Sequence, residues 1–161
     1  MAQTKFVGIG EMVMSESPDD VISAPNLGSC VGVAAYDPTK KLGAVIHCLL
    51  PLSKSNPERA ATQPYAFVDV GVVKMFEELF AKGVDKKSLV ITVAGGANIN
   101  DTNNVFEIGK KNYTILRKIL WKNNMLIKAE HVGEGNSRTL TLKMDSGEMW
   151  VKTNGEQIRL A

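Results

Sequence analysis

Residues 26–51 have the sequence NLGSCVGVAAYDPTKKLGAVIHCLLP and predict a β-hairpin. The segment 31–36 is short, apolar and ends in an aromatic residue, while 42–49 is apolar with β-branched residues at its centre. Between them, 37–40 begins with Asp followed by Pro. This pair favours a type I turn, because proline presets φ and aspartate can accept from the backbone ahead of it.

The register of this hairpin decides which side chains meet. A four-residue turn places Tyr36 opposite Lys41, and counting back from there places Cys30 directly opposite His47. Directly opposed residues share a face of the sheet, with Cβ atoms about 4.5–5.5 Å apart. A slip of one residue would pair Cys30 with Cys48 and send His47 to the other face. The turn chemistry favours the first register, so the sequence predicts a thiol beside an imidazole.

Such a pair has a recognised chemistry. The thiolate is the reactive form of cysteine, and a neighbouring imidazole can generate it at neutral pH. Gly28 and Ser29 form a turn before Cys30, and backbone N–H groups at this turn are candidate oxyanion donors. The simpler alternatives are that Cys30 is a small buried apolar residue and His47 a structural histidine. Cys48 alternates to the opposite face and is predicted to lie in the core.

Composition and charge restrict the class of protein. The 161 residues fit a single domain, 1–161, with 44% hydrophobic residues. The 19 basic and 17 acidic residues form no basic stripe, so nucleic acid is not expected as a partner. No apolar stretch approaches the roughly 20 residues of a membrane span, and the chain begins without a signal-peptide pattern. Two cysteines and no export signal predict a cytoplasmic protein with reduced thiols.

Neither a metal nor another cofactor is expected. The two cysteines and two histidines lack the paired short spacings of zinc sites. Gly95-Gly96 follows a predicted strand, but no Gly-Lys-Ser/Thr or G-x-G-x-x-G pattern accompanies it. Close backbone packing near a site is the favoured use of these glycines.

Periodicity supplies the remaining elements. Helical spacing of apolar residues predicts helices over 71–82 and about 110–122, and Asn154-Gly155 predicts a two-residue hairpin turn. Further strands are predicted at 5–9, 12–14, 88–93, 125–131, 138–144 and 148–153. This order predicts an α+β fold, with helices packed on one face of a mixed, mostly antiparallel sheet.

Several segments together resemble the CheD family, the chemoreceptor glutamine deamidases of bacterial chemotaxis. The resemblance covers nearly the whole chain, and its most specific part is Leu27-Gly28-Ser29-Cys30-Val31 followed by Tyr36-Asp37-Pro38 and the run from Gly43 to His47. Supporting segments are Gly95-Gly96-Ala97, Ile108-Gly109-Lys110-Lys111-Asn112, Arg138-Thr139 and Ser146-Gly147-Glu148. The resemblance implies a layered α/β/β sandwich, with Cys30 as nucleophile and His47 as base.

The resemblance also implies a substrate and partners. Family members convert glutamine side chains on the cytoplasmic helices of chemoreceptors to glutamate without a cofactor, and relatives bind the CheC phosphatase. The alternative function is therefore a non-catalytic or weakly catalytic binding partner of chemotaxis proteins such as CheC. A different thiol amidase, or transfer to an amine, is the alternative within enzymes.

One position departs from the family pattern. The family has a threonine six residues before the cysteine, where this chain has Ala24, unless the alignment shifts to Ser23. Asn26 or Ser29 is an alternative group to orient the imidazole, and a backbone carbonyl is another. The sequence does not choose among them.

Overall fold

The structure is a computed structural model that describes residues 3–98 and 107–161. The strands are β1 Gln3–Phe6, β2 Met12–Ser15, β3 Asp20–Leu27, β4 Val31–Asp37, β5 Leu42–Cys48, β6 Val90–Gly95, β7 Ala129–Val132, β8 Arg138–Lys143, β9 Met149–Thr153 and β10 Glu156–Arg159. The α-helices are α1 Pro57–Thr62, α2 Val73–Ala81 and α3 Ile108–Lys122, with a π-helical turn at Val68–Val72 and 3₁₀ turns at Ser53–Ser55, Pro64–Ala66 and Lys86–Ser88.

The described residues form two five-stranded sheets. The first has the order β1-β3-β8-β9-β10 and the second the order β2-β5-β4-β6-β7. The pairs β1–β3 and β6–β7 are parallel, and the other pairs are antiparallel. The predicted α+β class, a layered α/β/β sandwich with mixed and mostly antiparallel sheets, is therefore confirmed.

Strand β4 separates two hydrophobic layers. Its side chains alternate, so Val31 and Val33 pack with the helices, whereas Ala34 and Tyr36 pack against the first sheet. Cys30, just before the strand, points to the same side as Ala34 and Tyr36, and its side chain therefore lies between the two sheets. Alternation along one strand thus determines which layer receives the thiol.

The predicted hairpin register is wrong by two residues. Tyr36 pairs with Gly43 rather than Lys41, and His47 pairs with Gly32 rather than Cys30. The strands extend one residue further than expected, to the pair formed by residues 37 and 42, and the turn occupies 38–41.

The turn itself explains this shift. The carboxylate of Asp37 accepts from the backbone N–H groups of Thr39 and Lys40, and Lys41 closes the turn with φ 53°. Aspartate is therefore the last paired residue of β4 and not the first residue of the loop. A shift of two preserves the face, so Cys30 and His47 remain on the same side of the sheet.

Three other boundaries bear on the predictions. The expected strand 5–9 ends at Phe6, because the next residues turn away to cover the end of β5. The expected helix 71–82 consists of the π-helical turn followed by α2. The hairpin at Asn154-Gly155 is confirmed, since Thr153 pairs with Glu156 and both turn residues have positive φ.

Candidate active site

Cys30 lies at the entrance to β4, in a three-residue segment, 28–30, that we call the Cys30 loop. The residue is 5% exposed and its side chain packs between the sheets. Leu27, the last residue of β3, is fully buried beneath it in the same layer. The thiol therefore sits at one end of the space between the sheets, close to the surface.

All three carbonyl groups of the Cys30 loop are held by the body of the protein. The carbonyls of Gly28, Ser29 and Cys30 accept, in that order, from the N–H of Ala97 at 2.9 Å, from Nδ2 of Asn112 at 2.9 Å and from the N–H of Gly96 at 2.8 Å. Among the described residues, no backbone carbonyl accepts from the N–H of Ser29 or of Cys30, and the Cys30 N–H faces the residue's own thiol. The loop thus turns its acceptors inward and leaves two donors beside the thiol, which is the pattern an oxyanion site requires.

His47 is held by the segment that follows β1. The imidazole is 1% exposed, and its Nδ1 lies 3.1 Å from the carbonyl oxygen of Val7. The backbone of His47 also donates to the carbonyl of Glu11 and accepts from the N–H of Gly10. Because a carbonyl only accepts, Nδ1 carries the proton in the neutral ring and Nε2 carries the lone pair.

The second ring nitrogen is available. Nε2 of His47 is buried and has no hydrogen-bond partner among the residues that the structure describes. A buried polar atom without a partner is uncommon and frequently marks a functional position. Cys30 lies one residue before the paired part of β4, and its side chain enters the layer between the sheets. If the ladder continued by one step, Cys30 would be the diagonal neighbour of His47, a relation in which side chains can approach.

Burial shifts the pKa values of the two groups in opposite directions. It raises the pKa of the Cys30 thiol, and the residue's own backbone N–H partly opposes that rise. It lowers the pKa of His47, against the smaller opposing effects of the Val7 carbonyl and Glu11. Desolvation disfavours both charged forms, so the resting pair is a neutral thiol and a neutral imidazole.

Of the three side-chain candidates for orienting the imidazole, Ser29 has no described hydrogen bond to His47, and the other two lie elsewhere. Ser23 bonds to Thr141 across the pair formed by β3 and β8, with 3.4 Å between their hydroxyl oxygens. Its neighbour Ala24 is the one whose side chain faces the layer between the sheets, so alternation turns Ser23 away from that layer. Asn26 is exposed at φ 59°. Neither residue has a described hydrogen bond to His47, whose Nδ1 is held by a backbone carbonyl instead.

One residue of the site was not identified from sequence, and the close backbone packing predicted for Gly95 is confirmed. Asn112, on α3, is fully buried and bonds to the Cys30 loop. In the sequence, its segment only supported the family resemblance, and no role in the site was predicted for it. Gly95 has φ +109°, and a Cβ there would lie 2.1 Å from the carbonyl oxygen of Cys30. A pair of glycines directly after a strand was the available signal for this close approach.

Cys48 lies on the opposite side of the second sheet, as expected. It is fully buried in the layer that packs against the helices, and burial raises its pKa strongly. Within residues 3–98 and 107–161, no group of three His, Cys, Asp or Glu side chains is placed to hold a metal ion. In the same part of the chain, no helix has the length and apolar character to cross a membrane.

A buried thiol, an imidazole on the same face and two N–H groups that bond to no described backbone carbonyl form the arrangement of a thiol nucleophile site. The sequence profile of the family described as CheD chemotactic sensory transduction matches residues 49–153. This chain belongs to the CheD family. The matched range begins two residues after His47 and therefore does not include Cys30 or His47.

Relatives match over almost their full lengths. The chain is 41% identical over 155 residues to a probable chemoreceptor glutamine deamidase CheD of Solibacter usitatus, covering 96% of this chain and 92% of the relative. It is 40% identical over 154 residues to a probable chemoreceptor glutamine deamidase CheD 1 of Syntrophus aciditrophicus, covering 96% of each. A solved structure, hypothetical protein YfiH of Bacillus licheniformis, aligns with 77% of this chain and 49% of its own at TM-score 0.46 and 11% identity.

Proposed function

We propose that this protein is a protein-glutamine deamidase, a single domain over residues 1–161, that converts glutamine side chains on the cytoplasmic helices of chemoreceptors to glutamate. Membership of the CheD family and the names of its relatives support the substrate class. The observation that carries the chemistry is the Cys30 loop, in which every carbonyl is bound and the N–H groups of Ser29 and Cys30 bond to no backbone carbonyl of the described residues.

The first half of the reaction forms a thioester. Nε2 of His47 takes the proton from the Cys30 thiol as the sulfur attacks the carboxamide carbon of the glutamine. The new C–S bond pushes electrons onto the carbonyl oxygen, which lies against the N–H groups of Ser29 and Cys30. The imidazolium then gives its proton to the nitrogen, the C–N bond breaks and ammonia leaves.

The second half hydrolyses the thioester. Nε2 of His47 accepts a proton from water, the resulting hydroxide attacks the acyl carbon, and the same N–H groups hold the second oxyanion. The C–S bond breaks, the proton on His47 returns to the sulfur, and the side chain leaves as the carboxylic acid, which ionises to glutamate by giving its proton to the solvent. Each turnover consumes one water and releases one ammonia.

The neutral resting pair fits this sequence of steps. An imidazole of lowered pKa begins each half-reaction unprotonated and able to act as a base. The carbonyl of Val7, bonded to Nδ1, favours the tautomer that presents a lone pair at Nε2. Its partial negative charge also stabilises the imidazolium that forms after proton transfer.

The test is mass spectrometry of chemoreceptor cytoplasmic fragments after incubation with wild type, Cys30→Ala and His47→Ala. Wild type alone is expected to add about 1 Da per converted glutamine, as amide replacement by carboxylate requires. Cys48→Ala is the matched control, because it removes the thiol on the other face of the same hairpin and should retain activity. Conversion by Cys30→Ala, or its absence with wild type despite receptor binding, would overturn the proposal.

A binding function is the second candidate, and one finding favours it. Ala24 supplies no hydroxyl to the layer between the sheets, so one member of the family pattern, a threonine, is missing from this chain. The protein would then act by binding a chemotaxis protein such as a CheC-type phosphatase. Restoration of signalling by Cys30→Ala in cells lacking the wild-type protein would favour this function, and loss of signalling would favour the enzyme.

A further inference from the structure

A single buried amide joins the helix layer to both strands of the site. Asn112, on α3, is fully buried. Its Nδ2 donates to the carbonyl of Ser29 at 2.9 Å and to the carbonyl of Leu49 at 3.1 Å. Ser29 immediately precedes Cys30, and Leu49 lies two residues after His47. One side chain therefore contacts the chain next to the thiol and the chain next to the imidazole.

This amide occupies the open end of the β4–β5 hairpin. Val31 and Cys48 form the last pair of the ladder, and one step further Cys30 and Leu49 would face each other. At that step the two strands no longer bond to one another, and the carbonyls of residues 29 and 49 converge on Asn112 instead. A side-chain amide with two N–H donors is suited to hold two carbonyls at once.

The bond to Ser29 fixes more than one oxygen. The Ser29 carbonyl and the Cys30 N–H belong to the same planar peptide group, and in a trans peptide they point in opposite directions. The described residues contain no cis peptide bond. Holding the carbonyl toward α3 therefore directs the Cys30 N–H away from the helix. Carbonyl bonds on either side, at Gly28 and Cys30, prevent the loop from rotating as a unit.

We propose that Asn112 is the positioning residue of the oxyanion site: it orients the Ser29–Cys30 peptide so that the Cys30 N–H can stabilise the developing negative charge. This inference rests on the proposed function, in which Cys30 attacks a carbonyl carbon. Asn112 touches neither substrate nor thiol and acts through the peptide that it holds.

The unpaired end of the side chain supports this assignment. Oδ1 of Asn112 is buried and has no hydrogen-bond partner among the described residues. A buried acceptor without a partner destabilises the folded state, whereas an apolar side chain of similar volume would not. The group that accounts for an asparagine at this position is therefore Nδ2, which donates to the carbonyl of Ser29 in the Cys30 loop.

The test compares two reactions of the same thiol, of which only one forms an oxyanion. With p-nitrophenyl acetate, the Cys30 thiolate attacks the ester carbonyl through a tetrahedral oxyanion, forms an acetyl thioester and expels p-nitrophenolate. With iodoacetamide, the thiolate displaces iodide at a saturated carbon, and no oxyanion arises. The ratio of the two rates measures oxyanion stabilisation independently of thiol ionisation and without a receptor substrate.

The first variant is Asn112→Leu, which keeps the branched shape of the side chain and removes its donors. The second is Asn112→Ser, which is smaller, keeps one donor and provides a test if the leucine variant does not fold. Asn123→Ala is the control, because Asn123 is an exposed amide at the end of the same helix. We expect Asn112→Leu to slow acetylation by about 10²-fold, as loss of an oxyanion donor does, with alkylation unchanged. The serine variant should fall between it and wild type.

The opposing outcomes are distinct. Equal losses in both reactions would overturn this inference, because Asn112 would then act on the ionisation of the thiol or on the fold. An unchanged acetylation rate in a folded variant would also overturn it. A wild-type Cys30 that reacts with neither reagent would overturn the proposed function itself, and the inference with it. On a receptor fragment, the expected effect is a lower kcat with KM unchanged.

Discussion

The Nδ1 atom of His47 lies 3.1 Å from the backbone carbonyl oxygen of Val7, forty residues earlier in the chain. A main-chain atom thus orients the imidazole, a role for which the sequence offered only side chains or an unspecified carbonyl. The bond favours one tautomer and leaves Nε2 buried without a partner. The bond to Val7 orients the ring without a side chain at position 24.

Ala24→Thr should lower stability without activating the site. Ala24 is fully buried between the sheets, so added atoms are expected to cost about 1–3 kcal/mol in the free energy of unfolding. Because Nδ1 already has its acceptor, kcat should change little. Urea unfolding and ammonia release measure the two quantities.

Ala34→Thr is the matched control for this change. Ala34 is a fully buried alanine in the same layer, on β4. Similar losses of stability and unaltered activity are expected for both variants. A rise in kcat of tenfold or so in Ala24→Thr alone would show instead that a hydroxyl at this position completes the site.

Alkylation of Cys30 by iodoacetamide should accelerate as pH rises and show no plateau near neutrality. Burial raises the pKa of this thiol above its ordinary value of 9.0, and the thiolate is the form that reacts. The rate, followed by peptide mass mapping, should therefore still be rising at about pH 9. A rate that is constant between about pH 6 and pH 8 would indicate a preformed thiolate–imidazolium pair instead.

The other cysteine provides an internal comparison in the same experiment. Cys48 is fully buried on the helix side, and burial raises its pKa strongly. Its peptide should remain unmodified in the folded protein and become modified in urea. Modification of Cys48 before Cys30 under native conditions would contradict the assignment of these two cysteines to opposite faces of the hairpin.

Acid should destabilise the protein partly through His47. Folding lowers the pKa of this imidazole from its ordinary value of 6.5, so below about pH 6.5 the unfolded chain binds a proton that the folded chain does not. Its contribution to stability is complete above that pH and is lost as pH falls from there through the lower pKa of the folded state. Unfolding free energies in urea at about pH 8 and about pH 5.5 measure the loss.

His47→Gln isolates this contribution. The glutamine amide can still donate to the Val7 carbonyl but cannot be protonated in this range. The difference in stability between the two pH values should therefore be smaller in the variant than in wild type. An equal difference in both proteins would show that other groups cause the acid sensitivity.

Gly95→Ala should disrupt the site through its contact with Cys30. A Cβ at position 95 would lie 2.1 Å from the Cys30 carbonyl oxygen, at φ +109°. Gly133→Ala is the control, because Gly133 has φ +81° but no atom within 4 Å of its Cβ position. The control should lose about 1–2 kcal/mol from the positive φ alone.

The difference between these variants isolates the steric contact. In urea, the free energy of unfolding of Gly95→Ala should fall by at least about 2 kcal/mol more than that of the control. The Cys30 thiol of this variant should also become less reactive. Equal losses would show that the close approach of β6 to Cys30 is relieved without consequence.

The local chemistry of the chain was visible in its sequence. Alternation along β4 and β5 placed Cys30 and His47 on one face and Cys48 on the other, and Asn154-Gly155 specified its hairpin. These features depend on neighbours along the chain, where side-chain period and turn residues act directly. The hairpin register was missed by two residues because two turns differing by one position suit the same Asp-Pro pair.

Contacts between distant segments were decided only by the tertiary structure. The acceptor for His47 is a main-chain carbonyl, and any residue type presents one, so no sequence pattern points to Val7. Asn112 reaches Ser29 across 83 residues, and a buried asparagine on a helix resembles an exposed one in sequence. Local sequence determined which groups line the site, whereas the packing of α3 and of the segment after β1 onto the hairpin determined how those groups are oriented.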